Sequence, residues 1–158
     1  MNTFIERITQ TNKSIAPLLL RLTLALVLFP HGAQLLAGWF GGYGYSASMQ
    51  YFTSQGLSSF IAFMVIFLEF FGSLFILFGV LTRPFAIALL VLFLGMISTV
   101  HYSFGFFMNW FGSQKGEGYE FHLLAIGLLL TLTICGGGVA SADRLINKLV
   151  NNNNNQND

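Results

Sequence analysis

The sequence is poor in charged residues, which make up only 8% of its 158 residues. Soluble globular proteins carry about 25%, so this composition excludes an ordinary soluble domain. The formal net charge is only +1, which provides no basic surface and excludes a nucleic-acid partner. Hydrophobic residues make up 54% of the chain. We therefore expect one integral membrane domain that is surrounded by the lipid bilayer.

Cysteine is nearly absent, because Cys135 is the only one. A single cysteine excludes an internal disulfide, a paired CxxC redox motif and a cysteine-based zinc site. No short apolar segment near the N-terminus is followed by a small-residue cleavage site. The first apolar segment has the length of a full membrane span, so we interpret it as an uncleaved anchor.

Four apolar segments are present, at approximately residues 15–40, 57–80, 84–106 and 119–135. A membrane-spanning helix needs about 20 mainly apolar residues, and the four segments match this length. The turn between the second and third segments is very short, so these two spans must run antiparallel beside each other. The sequence predicts an all-α fold, a four-helix transmembrane bundle with antiparallel up-down topology.

Basic residues predict the orientation of this bundle. Five of them fall at one end, namely Arg7, Lys13, Arg83, Arg144 and Lys148, whereas the loops at the other end carry only Lys115. Cytoplasmic loops of membrane proteins carry an excess of Lys and Arg. We therefore expect both termini in the cytoplasm of a bacterial inner membrane, with Trp39 and Trp110 at the outer interface.

The polar segments complete the predicted domain organisation. Residues 1–14 are predicted to be a cytoplasmic N-terminal segment and residues 15–138 the membrane domain. Residues 139–150 have the pattern of a cytoplasmic amphipathic helix capped by Ser141, and residues 151–158 form an asparagine-rich tail of disordered composition. Residues 41–56 are predicted to contain a short helix on the membrane surface.

Polar and ionisable side chains occur within the predicted spans, where a charge costs at least a few kcal/mol unless it faces a partner or water. These residues are Arg21, His31, Gln34, Glu69, His101, Glu120 and His122. Counted from the ends of the spans, Arg21 lies in the inner half, Glu69 lies near the middle, and the others lie in the outer half. We therefore predict a polar cluster inside the bundle that opens towards the periplasmic face.

Two interpretations of each residue stay open. Arg21 and Glu69 are either a buried ion pair that fixes the register of the helices or members of a functional site. His31 either hydrogen-bonds a backbone carbonyl freed by the adjacent proline or transfers protons. Glu120 and His122 begin a helix, where they are either solvated or part of the cluster.

The spacing of these residues is not diagnostic of a cofactor. His31 and His101 have the residue type and similar depth of axial haem ligands. A copper or zinc site could draw on His31, His101, Glu120 and His122. The 18 phenylalanines either line a quinone or lipid pocket or pack the core. We assign no metal ligands and leave the cofactor open, with a quinone ahead of haem or a metal.

Short motifs follow one another in a definite order along the chain: Arg21, His31-Gly32 with Gln34, Glu69, Gly79 before Thr82-Arg83-Pro84, Glu120, and Gly136 and Gly138 before Ser141 and Asp143. In this order, over about residues 15–145, the chain resembles the DoxX family of small four-span bacterial membrane proteins. The family pattern has a lysine where this chain has Leu35, so any role of that lysine is lost or moved. The resemblance also places Arg83 and Asp143 together at the inner surface, where we expect them to pair.

The resemblance implies two kinds of function. Some members are the membrane subunit of a thiosulfate:quinone oxidoreductase, and others resemble a scaffold that joins a superoxide dismutase and a sulfurtransferase. Our first hypothesis is therefore a component of a membrane redox system, quinone-linked or concerned with oxidative stress. Glu69, His31 and Arg21 would be its catalytic residues, and Gln34, His101, Glu120 and His122 its binding residues. Soluble redox proteins would be its partners, with a homo-oligomer as a further option.

The second hypothesis is a non-catalytic membrane scaffold or assembly factor. In that case residues 139–150 would recruit soluble partners, and the buried polar residues would only hold the fold together. A small transporter is a third interpretation. Four spans leave little room for a gated path without oligomerisation, and the sequence has no pair of broken helices of the usual kind.

Overall fold

The structure is a computed structural model that describes residues 3–154, and all regular elements in this range are helices. The α-helices are α1 (Thr3–Thr9), α2 (Ala16–Ala37), α3 (Gly44–Ser54), α4 (Ser59–Phe78), α5 (Thr82–Thr99), α6 (Glu120–Cys135) and α7 (Ala142–Asn154). Short 3₁₀ turns follow α2 at Trp39–Gly41 and α5 at His101–Phe104. The predicted all-helical class is confirmed.

Three of these helices, α2, α4 and α5, are long and apolar enough to cross a bilayer, whereas α6 is apolar but shorter, with 16 residues. Their inward faces form one core: Leu24, Leu28, Ile76, Ala86, Leu89, Phe93, Ala125, Leu129 and Leu132. Large apolar side chains also cover the outside of the same helices, such as Leu26, Phe60 and Leu124. Apolar outward faces are expected where lipid replaces water around a helix bundle.

The ends of α2 follow the capping signals in its sequence. The hydroxyl of Ser14 accepts a hydrogen bond from the Ala16 N–H at 3.1 Å, and Pro17 lies in the first turn. The helix continues past Pro30 and ends at Gly38, whose φ of +72° is the left-handed conformation that glycine adopts readily. The predicted start of the first span is therefore confirmed to within a residue.

Helix α4 contains one π-helical turn, at Leu68–Gly72, and Glu69 lies in it. This turn packs against α2, and the contact is between backbones. A Cβ atom on Gly32 would lie 2.4 Å from the carbonyl carbon of Glu69. Glycine at position 32 thus allows α2 to approach α4 at the turn that carries the buried carboxyl group.

We call the end of the bundle formed by α1, α7 and residues 10–17, 79–83 and 135–141 the basic end. Arg21 points to this end, and its guanidinium donates hydrogen bonds to the carbonyl oxygens of Leu77 at 3.1 Å, Val139 at 3.2 Å and Ala140 at 3.1 Å. The interpretation of Arg21 and Glu69 as a buried ion pair is therefore wrong. The two Nη atoms of the arginine instead bond carbonyl oxygens that are exposed at a helix end and a turn.

The expected pair between Arg83 and Asp143 is also wrong. The Asp143 carboxylate accepts hydrogen bonds from the backbone N–H groups of Leu81 at 2.7 Å and Thr82 at 2.8 Å, while Arg83 donates to the Ile134 carbonyl at 3.0 Å. Asp143 thereby caps the N-terminus of α5 from another helix, where a negative charge is stabilised by the helix dipole.

The two predicted short helices are present as α3 and α7. The Ser141 hydroxyl accepts a hydrogen bond from the Arg144 N–H at 3.2 Å, which confirms Ser141 as the cap of α7. Helix α7 continues through Asn154, into the segment predicted to be disordered, because the chain there extends a helix that is already formed. Residues 155–158 of that segment lie outside the described residues.

Candidate functional site

A cavity of about 560 Å³ lies between the helices at the end opposite the basic end. Its lining residues are Val27, Leu28, His31, Gln34, Leu35, Phe52, Glu69, Phe93, Met96, His101, Met108, Glu117, Phe121 and His122. Pockets for small molecules have about 300–1,000 Å³ and mainly apolar walls with a few polar groups. This cavity has both properties.

The cavity brings together five of the seven polar residues that the sequence singled out. These are His31 and Gln34 from α2, Glu69 from the π-helical turn, His101 from the turn after α5, and His122 from the first turn of α6. The sequence places them in four separate segments, and only the packing of the bundle makes them neighbours. Their predicted clustering is confirmed, while their chemical roles stay predictions.

The rings of His101 and His122 lie next to each other in the cavity, with centroids 4.0 Å apart. Nδ1 of His101 is held 2.8 Å from the carbonyl oxygen of Glu117. His122 is only 6% exposed, and its Nδ1 atom is buried without a hydrogen-bond partner among residues 3–154. Its ring meets the edges of Phe93 and Phe121. The interpretation of His122 as a solvated residue is therefore wrong.

Glu69 is 9% exposed, and no described residue donates a hydrogen bond to its carboxyl group. His31 is exposed and makes no hydrogen bond within the described part of the chain, so the proposed bond to a carbonyl freed by Pro30 is not formed. The amide of Gln34 donates to the Phe40 carbonyl at 3.1 Å. Buried polar groups normally have partners, and here Glu69 and His122 lack them at one cavity.

Arg21 and Glu120 do not line the cavity. The two Nη atoms of Arg21 donate to carbonyl oxygens at the basic end. Oε1 of Glu120 accepts hydrogen bonds from the Met108 backbone N–H at 3.2 Å and from Nε1 of Trp110 at 2.9 Å. Glu120 therefore ties the loop after α5 to the start of α6, and the set of four copper or zinc ligands considered from the sequence is not assembled. Among residues 3–154, no group of three His, Cys, Asp or Glu side chains has the arrangement to hold a metal ion.

The lining residues that the sequence did not assign to the site include Phe52, Met108 and Glu117. Phe52 belongs to α3, which we predicted to lie on the membrane surface, and its spacing with Tyr45 and Met49 was the available signal. Met108 and Glu117 lie in a glycine-containing loop without helical periodicity. Asn109 organises this loop, since its backbone N–H donates to Oε2 of Glu117 at 2.8 Å.

The arrangement is suited to a small molecule with a flat apolar body and a polar end. Aromatic and aliphatic side chains provide the walls, while histidine, glutamine and carboxyl groups converge from different helices. Histidine both donates and accepts protons near neutral pH, and a carboxyl group in the same cavity gives a second proton carrier. The site can therefore bind a polar head group and exchange protons with it.

Membrane-length apolar helices around a buried polar cavity define this chain as a helical membrane protein. A family model described as DoxX matches residues 16–102, which is more than half of the chain. The chain belongs to the DoxX family.

Two relatives support this assignment. The chain is 38% identical over 112 residues to "Inner membrane protein YqjF" of Escherichia coli (strain K12), covering 71% of this chain and 82% of the relative. It is 31% identical over 124 residues to "Putative oxidoreductase CatD" of Bacillus subtilis (strain 168), covering 77% of this chain and 83% of the relative. No solved structure matches the chain.

Proposed function

We propose that this protein binds a quinone, or a small apolar molecule with a similar polar ring, as the membrane component of a redox system. The observation that carries the proposal is the convergence of three histidines and Glu69 on one apolar cavity. The name of the Bacillus subtilis relative, with its reference to an oxidoreductase, points in the same direction. The cavity volume of about 560 Å³ is sufficient for a substituted ring.

In this proposal α2, α4, α5 and α6 all span an inner membrane, with both termini in the cytoplasm. The basic end would face the cytoplasm, because it carries five of the six Lys and Arg residues other than buried Arg21. The cavity would then open towards the periplasmic side. The domain boundaries follow from this topology: cytoplasmic residues 1–14, the membrane domain 15–138, and the helix that begins after Ser141.

The polar residues have different roles in the proposed site. His122 and Glu69, buried and without partners, would meet the oxygen atoms of the ring, while Gln34 is held by its bond to Phe40. His31 is exposed and would exchange protons between the cavity and the outside. From the sequence, Arg21 and Glu120 are grouped with the site residues. In this proposal they would stabilise the fold instead.

Reduction of a quinone to a quinol takes up two electrons and two protons. His31, His122 and Glu69 would deliver the protons to the two ring oxygens. The electrons would come from a reduced soluble partner protein, since the sequence carries no cofactor-binding motif of its own. Oxidation of the quinol would reverse both flows.

Quinone content tests the proposal. The full-length protein, purified in mild detergent, is extracted beside Glu69→Gln and His31→Ala, and the molar ratio of quinone to protein is measured. We expect quinone in the wild type and less of it in variants that unfold at the wild-type temperature. Quinone-free protein from a quinone-containing membrane would contradict the proposal.

A scaffold remains the second candidate, because one observation favours it. Helices α1 and α7 pack together at the basic end and expose apolar side chains, among them Phe4, Leu145 and Leu149. If these residues recruit a soluble partner, replacing Leu145 and Leu149 by serine will abolish co-purification of that partner. The cavity variants Glu69→Gln and His31→Ala will then leave the partner bound.

A further inference from the structure

The exposed surface of α1 and α7 combines apolar and basic side chains. On α7, Leu145 is 64% and Leu149 is 65% exposed, and they lie one turn apart on the same face. Lys148 is exposed beside them. On α1, Phe4 is 72% exposed. Two adjacent helices thus present apolar residues that the described part of the chain leaves uncovered.

The two helices are fixed to each other and to the bundle. The side-chain amide of Asn147 donates to the Glu6 carbonyl at 3.4 Å and lies 3.3 Å from the Thr9 hydroxyl. The backbone N–H of Asn12 donates to the Cys135 carbonyl at 2.9 Å, which ties the segment after α1 to the end of α6. The exposed residues therefore form part of a surface with a defined position at the end of the membrane helices.

The fully exposed charges around this surface are all basic: Arg7, Lys13 and Lys148. Arg144 and Glu6 are both half-buried. The acid Asp143 is buried and caps α5. A basic rim around exposed leucine and phenylalanine is typical of helices that lie in the interface of an anionic membrane.

We propose that α1 and the exposed face of α7 lie in the headgroup region of the membrane and bind anionic phospholipids. The apolar side chains would enter the upper acyl region, while Arg7, Arg144 and Lys148 would contact lipid phosphates. The position of the surface favours lipid over a soluble partner, because it adjoins the ends of membrane-length helices. The proposal is independent of the ligand in the cavity, since Arg21 and Asp143 separate the basic end from it.

A spin label at position 149 tests the proposal in the full-length protein. The background is Cys135→Ser, which removes the only cysteine, and Leu149→Cys carries the label. The matched control is Ser113→Cys, which labels an exposed position in the loop of the opposite end. Each protein is placed in nanodiscs of phosphatidylcholine, with or without phosphatidylglycerol, and the accessibility of the label to oxygen and to a water-soluble nickel chelate is measured.

We expect the label at position 149 to be accessible to oxygen and protected from the chelate, most strongly with phosphatidylglycerol, and the label at position 113 to be accessible to the chelate throughout. Adding Arg144→Gln and Lys148→Gln should weaken the preference of this surface for phosphatidylglycerol about 25-fold, or about fivefold per charge. The protection of the label from the chelate should then fall when phosphatidylglycerol is present. Without it, the two changes should have little effect.

Two results would overturn the proposal. A label at position 149 that the chelate reaches in both lipids would show a surface free for soluble partners. A label that neither reagent reaches would show a surface covered by protein, and label-to-label distances would then identify a second copy. The thermal unfolding of the Cys135→Ser background is compared with wild type, so that a misfolded background is recognised before either result is interpreted.

Discussion

The two ends of the helix bundle both bury ionisable side chains, but these side chains differ in their hydrogen-bond partners. At the basic end, Arg21 and Asp143 are completely buried or nearly so, and each is bonded to several backbone groups, although the Nε atom of Arg21 has no partner among the described residues. At the cavity, Glu69 and the Nδ1 atom of His122 are also buried, and among the described residues neither is hydrogen-bonded. A charged group that is bonded to several backbone groups stabilises the fold, whereas groups without such bonds around an open volume are available to a ligand.

Because of this difference, we expect substitutions at the two ends to have different effects. Substitutions at the basic end should lower the stability of the fold without a specific effect on ligand binding. Substitutions of residues that line the cavity should change ligand binding and leave the stability of the fold nearly unchanged. Substitutions of Gly32 and Glu120 should have intermediate effects. Each of these residues positions a backbone segment beside the cavity, but neither lines the cavity itself.

The largest effect is expected for Asp143→Ala. The variant leaves the Leu81 and Thr82 N–H groups unpaired and removes the negative charge that acts on buried Arg21. We expect a loss of about 3–5 kcal/mol in the free energy of unfolding, measured by thermal or denaturant unfolding in detergent. Asn152→Ala, at an exposed position of the same helix, is the control and should be neutral. A stability loss below about 1 kcal/mol for Asp143→Ala would refute the capping role.

Arg21→Met should have the second-largest effect. We expect a loss of about 2–4 kcal/mol in the free energy of unfolding, because three carbonyl oxygens lose their hydrogen-bond donors. Arg21→Lys should recover only part of it, because one ammonium group cannot reproduce the fork that reaches both Leu77 and Ala140. Gly79 permits this contact, since a Cβ there would lie 2.2 Å from Nη1 of Arg21. Full rescue by lysine in the same unfolding assay would show that charge alone matters at this position.

Gly32→Ala should have an intermediate effect, about 1–3 kcal/mol, because the new methyl group pushes α2 away from the π-helical turn. Quinone content should fall as well, since the turn carries Glu69. Gly127→Ala is the matched control: it adds the same methyl group to a helix where nothing lies within 4 Å. Equal stability and quinone content of the two alanine variants would contradict the role of the close approach.

The smallest effect is expected for Glu120→Gln. An amide oxygen in the place of Oε1 can accept both hydrogen bonds, but it lacks the charge that strengthens them. The expected loss is therefore about 1 kcal/mol, and the loop at Trp110 should loosen. Trp39→Phe leaves Trp110 as the only tryptophan, and its emission should shift to longer wavelength in Glu120→Gln. An unchanged spectrum would show that another contact holds the loop.

Much of the fold could be predicted because the apolar segments, their caps and the basic residues are local features. The predicted bounds of the spans differ from those of the helices by a few residues, except that α5 ends at Thr99 and His101 lies in the turn beyond it. The clustering of the histidines with Gln34 also followed from depth, since residues at similar depth can meet inside a small bundle. Depth alone was not sufficient, because Glu120 was placed at the same depth and does not line the cavity.

The partners of Arg21 and Asp143 could not be predicted, for a physical reason. A long arginine side chain reaches either way along a helix, and its acceptors at Leu77, Val139 and Ala140 are backbone carbonyls that leave no mark in the sequence. The two ion pairs considered from the sequence are not formed, because backbone groups at helix ends provide the partners instead. The π-helical turn around Glu69 likewise depends on tertiary packing.

Direct binding of a quinone tests whether the unpartnered groups at the cavity form a ligand site. A short-tailed quinone is titrated into wild type, His122→Phe and Asp143→Asn, and the heat of binding is measured at a temperature where all three are folded. We expect saturable binding to wild type and to Asp143→Asn, and at least tenfold weaker binding to His122→Phe. A tenfold decrease corresponds to a loss of about 1.4 kcal/mol in the free energy of binding. Equal binding by all three proteins, or none by wild type, would contradict it.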